Sequence, residues 1–83
     1  MRPYYFLGVT FANKKDYPAA AKAFEKARAL APGNDSVKFN LAVLYRYHLD
    51  RREEAAALFA EVAASPVASE SLKEKARVEM GGK

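Results

Sequence analysis

Tyr4-Tyr5-Phe6-Leu7-Gly8-Val9-Thr10-Phe11, followed by Ala20, Phe24, Ala27 and Pro32, is a pattern that returns further along the chain. Shifted by 34 residues, Tyr5 falls on Phe39, Leu7 on Leu41, Gly8 on Ala42, Val9 on Val43, Phe11 on Tyr45, Asp16 on Asp50 and Pro32 on Pro66. In the second half of each unit the offset becomes 35, so Ala20 meets Ala55, Phe24 meets Phe59 and Ala27 meets Val62. The second copy therefore has one extra residue in its internal turn and one fewer before its closing proline. A fixed period of this length predicts a helical solenoid, whose units bury their apolar faces on one another.

Tyr4, Leu7, Gly8 and Phe11 share one helix face, which predicts a first helix from Pro3 to about Asn13. Proline suits that first turn because its missing N–H would have no partner there. Asn13-Lys14-Lys15-Asp16 reads as a tight turn, with Asp16 capping a second helix over about Tyr17 to Ala31. The inner face of that helix is Tyr17, Ala20, Phe24, Ala27 and Leu30, and Pro32-Gly33-Asn34 stops it. Asp35 or Ser36 is expected to cap a third helix running to about His48, with Val37, Leu41, Leu44, Tyr45 and His48 inside. Asp50 then takes the role of Asp16 before a fourth helix, about Arg51 to Ala64, which buries Ala55, Leu58, Phe59 and Val62. A fifth helix near Ser69 to Met80 has only the narrow stripe Leu72, Ala76 and Met80, with a capping box at Ser71 and Glu74 and a stop at Gly81-Gly82. A helix apolar on one side suits the end of an array.

Eighty-three residues make one small domain, with repeat units at about 2–34 and 35–66 and a closing helix at about 67–80. The chain has no cysteine, which excludes a disulfide framework, a thiolate nucleophile and a cysteine zinc site. Its only histidine, His48, stands two residues from Asp50, a spacing at which helical side chains do not meet. With no glycine-rich phosphate loop and no metal-ligand spacing, the expectation is no enzyme, no cofactor and no metal. No apolar run reaches the ~18 residues of a membrane span. The start of the chain lacks the features of a signal peptide; this leans the expectation to the cytoplasm and leaves open a leader in a longer precursor.

Two antiparallel helices per 34 residues with this pattern resemble the tetratricopeptide repeat. The resemblance rests on Tyr4, Leu7-Gly8, Phe11, Ala20, Phe24, Ala27 and Pro32 in the first unit. In the second it rests on Leu41-Ala42, Tyr45, Ala55, Phe59 and Pro66, with Lys38 in place of the large aromatic and Val62 in place of the second alanine. It implies an all-α, right-handed solenoid of two helix-turn-helix hairpins plus a C-terminal capping helix. It also implies a non-catalytic scaffold or adaptor that binds a protein or peptide in a concave groove lined by the first helix of each unit.

That groove maps onto Arg2, Tyr5, Val9 and Asn13, and onto Phe39, Asn40, Val43, Arg46 and Tyr47. An apolar strip edged by Asn40 and two arginines suits a peptide with hydrophobic anchors and an acidic group or free carboxylate. Alternative uses of the same residues are packing on a neighbouring helix and cover by a second copy of the chain. The aromatic edge at Tyr4, Tyr5 and Phe6 equally suits self-association, or a place inside a longer array. The chaperone-tail clamp of the family is disfavoured: its matching positions read Tyr5, Val9, Asn40, Glu70 and Glu74, and only Asn40 survives. Of the net charge of +4, the first 34 residues hold six Lys/Arg against two acids. Lys14, Lys15, Lys22, Lys26 and Arg28 could meet nucleic acid, but a solvated outer face explains them better, because the aromatics between them fall on buried stripes.

Overall fold

The computed structural model describes residues 4–81, with side chains through residue 79. Five helices follow one another: α1 Tyr4–Asn13, α2 Tyr17–Leu30, α3 Asp35–Tyr47, α4 Arg52–Ala64 and α5 Glu70–Gly81. There is no strand among the described residues. Hairpin α1–α2 stacks through α2 on hairpin α3–α4, and α5 closes against α4. The chain is an all-α right-handed solenoid of two hairpins with a closing helix.

The core follows the small-and-large alternation of the sequence. Ala20, Phe24 and Ala27 from α2, Leu41, Ala42 and Tyr45 from α3, and Ala55, Phe59 and Val62 from α4 form one buried cluster, which Ala76 of α5 joins. Small residues bring helix axes close while the aromatics fill the space beside them. Gly8 is the tightest such place: a methyl there would lie 2.7 Å from the Phe24 ring.

The caps partly follow expectation. Asp16 accepts from the Ala19 N–H at 3.4 Å, and Pro18 occupies the first turn of α2. The cap of α3 is Asn34, which accepts from the Val37 N–H at 3.3 Å, and not Asp35 or Ser36. Asp35 is instead the buried first residue of that helix and accepts from the Ser65 hydroxyl at 2.7 Å, tying α3 to the loop after α4. At α5 the Ser69 hydroxyl accepts from the Leu72 N–H at 3.2 Å; Ser71 already lies inside the helix, so no capping box forms there. That helix continues through Gly81. Pro3, Gly82 and the side chain of Met80 in the α5 stripe lie outside what the structure describes.

Asp50 does not cap α4. It sits in the left-handed region at φ 55°, as Lys15 does at φ 65° in the first turn. These two are 35 residues apart, so the structural counterpart of Asp16 is Arg51, whose side chain makes no cap bond. The extra residue of the second unit therefore lies before Asp50, around His48-Leu49. A β-carbon is strained in that conformation, and less so for Asp than for Lys. Lys15→Gly is expected to raise stability by about 0.5–1 kcal/mol and Asp50→Gly by less, which chemical denaturation of the two variants checks.

Two residues leave the faces expected of them. Leu30 is 73% exposed in the last turn of α2. His48 follows α3 as its C-cap rather than extending the inner stripe. Lys38, where an aromatic was replaced, keeps its stem largely covered and pairs with Glu61 at 3.4 Å and Asp35 at 3.9 Å, joining α3 to α4 by charge.

Candidate functional site

Between α1 and α3 lies an open cleft of about 330 Å³, near the low end of ligand-sized cavities. Val9 and Val43 line it, one from each hairpin, with Asn13 and Asn40, and Phe24 and Leu44 contribute apolar surface. Its register follows from the repeat, since Val9 and Val43 occupy the same position of the two hairpins. Both are only partly buried, unlike the core positions one residue before them.

One end of the cleft is built by Tyr17 and His48, whose rings stack at 3.8 Å between centroids and 7° between planes. The contact joins the start of α2 to the end of α3, and thereby the two hairpins. Sequence reasoning missed both as lining residues. Tyr17 was assigned to the inner face of α2 and His48 to that of α3, and no period relates a residue after one turn to a residue before the next.

The other sequence-predicted groove residues divide. Tyr5 leans on Phe24, with centroids 5.8 Å apart, and its hydroxyl accepts from the Asn40 amide at 3.2 Å, so it braces the cleft from one side. Phe39 meets Phe59 edge-on at 5.5 Å and is partly absorbed into the core of the second hairpin. Arg46 and Tyr47 turn to α5. The Arg46 guanidinium pairs with the Glu79 carboxylate at 3.5 Å and donates to the Glu79 carbonyl at 3.3 Å, while the Tyr47 hydroxyl donates to that carboxylate at 2.6 Å. The arginine expected to orient a partner's carboxylate is thus already engaged by an acid of the same chain. Arg2 lies outside the described residues.

The lining contains no Asp, Glu, Lys or Arg side chain. Its polar groups are amide, phenol and imidazole, which can donate to or accept from a peptide backbone without a charge on the partner. Among the described residues no cluster of three or more His, Asp or Glu is arranged to hold a metal ion. No helix among them is long and apolar enough to cross a membrane. On the far side of the stack, the Tyr45 hydroxyl donates to Glu25 at 2.5 Å, linking α3 to α2. Burial, reinforced by that bond, holds the hydroxyl far above the ordinary tyrosine range, so it remains a donor at neutral pH.

Comparison with known proteins gives one result that bears on this arrangement. The family model described as the tetratricopeptide repeat matches residues 2–34, the stretch that contains α1 and α2. No curated protein and no solved structure gives a match. Repeats of this family generally mediate protein–protein interaction. Residues 2–34, the first hairpin, are thus similar to a tetratricopeptide repeat.

Proposed function

We propose that this chain is a non-catalytic interaction module that holds an extended, apolar segment of a partner protein in the cleft between α1 and α3. The observation that carries the reading is the uncharged cleft itself. It is open, flanked by the repeat-related Val9 and Val43, and supplied with hydrogen-bonding groups by Asn13 and Asn40. Two partly buried valines offer the partner an apolar seat, and burying one more aliphatic side chain there contributes roughly 1.5–3 kcal/mol. The amides then match the backbone of the bound segment. The engagement of Arg46 by Glu79 favours a neutral anchor over the acidic or carboxylate-bearing one that the sequence suggests.

Selection from a displayed peptide library, followed by affinity measurement on the wild type and Val43→Asp, tests this. Selected peptides are expected to be apolar, to bind with little dependence on salt, and to lose at least about tenfold in affinity on Val43→Asp. The melting curve should remain close to that of the wild type, because Val43 lies on the rim of the core. Light scattering across a concentration series separates the competing occupant: a dimer that Val43→Asp abolishes would assign the cleft to a second copy of the chain. A Tyr5→Ala/Phe39→Ala pair would be a poorer probe, since Phe24 and Phe59 pack against those rings.

A further inference from the structure

The side of the first hairpin facing away from the second carries another cleft, of about 260 Å³, lined by Tyr4, Leu7, Phe11 and Ala23 and flanked by Lys22 and Lys26. The internal repeat indicates what such a face receives. At the matching positions of the second hairpin stand Lys38, Leu41, Tyr45, Leu58 and Glu61. There a helix, α2, lies against α3: Tyr45 donates to Glu25, and Arg28 pairs with Glu61 at 3.5 Å. Leu41, Tyr45 and Leu58 are buried, whereas Tyr4 is 36% exposed and Leu7 and Phe11 are only partly covered.

The apolar half of the helix-receiving face is thus kept on the first hairpin, but its polar half is changed. Phe11 has no hydroxyl to offer a Glu25, and Lys26 stands where Glu61 pairs with Arg28. A second copy docking as α2 does would bring Arg28 against Lys26. The exposed Lys22 and Lys26, with Lys14 and Lys15 at the adjoining turn, have no ion-pair partner among the described residues. From the retained apolar seat and the reversed charge we infer that this face docks an amphipathic helix of a partner protein, with carboxylates flanking its apolar stripe. This surface is separate from the α1–α3 cleft, and its partner is recognised by charge as well as by apolar contact.

The test uses a synthetic amphipathic helix of about 18 residues, roughly five turns, made in two forms with Glu or Lys flanking the same leucine stripe. Binding to the isotope-labelled chain is followed by amide chemical shifts. The Glu form is expected to shift amides of Leu7, Phe11, Ala23 and their neighbours. Its affinity should fall by about tenfold on Lys22→Glu/Lys26→Glu and fall again as salt is raised. The Lys form should gain on that charge-reversed variant, and Val43→Asp should change neither. Equal affinity of the two forms for the wild type, no shift at millimolar Glu peptide, or shifts confined to Asn13 and Asn40 would overturn the inference. So would a wild-type dimer in light scattering that Lys22→Glu/Lys26→Glu dissociates, because it would give the face to a second copy.

Discussion

Phe59→Ala is expected to remove about 3–5 kcal/mol of stability, the upper end of what truncating a buried side chain costs. Phe59 is 1% exposed and is the bulkiest of the fully buried side chains. Its ring meets Phe39 of α3 edge-on, and the buried cluster it belongs to includes the small residues Ala42 and Ala55, which are themselves 1% exposed or less. Alanines have no atoms with which to fill a vacated ring site. The resulting cavity cannot collapse without the α3 and α4 axes moving together. Against a total stability of about 4–12 kcal/mol for a domain of this size, the variant retains about three quarters of it at best and at worst does not fold.

Urea denaturation followed by circular dichroism measures the loss, with Leu30→Ala as the comparison. Leu30 is 73% exposed, and its truncation is expected to stay within about 0.5 kcal/mol of the wild type. A shift for Phe59→Ala below about 1 kcal/mol would mean that the second hairpin is not part of the cooperative core. Stability would then rest on the first hairpin alone.

The periodicity of apolar residues made the five helices, the buried alanines and the two core phenylalanines legible in the sequence. Those features depend on which face a residue occupies, and a helix of fixed pitch converts position into face directly. What escaped was set by backbone conformation and by contacts between non-equivalent positions. Asp50 has the chemistry of a cap, so its alignment with Asp16 was natural. Its left-handed backbone places it one step earlier, level with Lys15. Asn34 competed with Asp35 for the same cap, and Ser65, thirty residues away, engaged Asp35. The cleft was legible in part: Val9, Asn13, Asn40 and Val43 lie on the helix faces that the resemblance pointed to, and of these Val9 and Val43 are equivalent positions of the repeat. Its closed end was not, because the Tyr17–His48 stack joins two turns, and the loss of Arg46 to Glu79 depends on how α5 docks. Packing of unlike elements was therefore the part that the repeat left open.

Gly8→Ala is expected to destabilise by up to about 2 kcal/mol, although alanine is the better helix former by about 1 kcal/mol. Two opposed effects decide the sign. The added methyl would stand 2.7–2.8 Å from three carbons of the Phe24 ring, closer than carbon atoms can approach. Phe24 is 2% exposed and has Tyr5 against it, so the ring cannot swing out into solvent. Overpacking of this kind costs about 1–3 kcal/mol, enough to outweigh the helix propensity. The second hairpin shows that the position itself tolerates a methyl, since Ala42 occupies it fully buried. The difference lies in where the phenylalanine ring sits, so a smaller side chain at position 24 should relieve the clash. In a double-mutant cycle, Phe24→Leu is expected to cost less in the Gly8→Ala background than in the wild type, with a coupling of about 0.5–1 kcal/mol. A rise in stability for Gly8→Ala alone would show that the ring has room to retreat. Phe24 also lines the α1–α3 cleft, and the methyl enters from α1 behind it. Any retreat of the ring therefore fills space that a bound segment would use. Gly8→Ala should weaken binding of peptides selected for that cleft even under conditions where the variant is fully folded, and binding unchanged in the folded variant would place the bound segment away from Phe24.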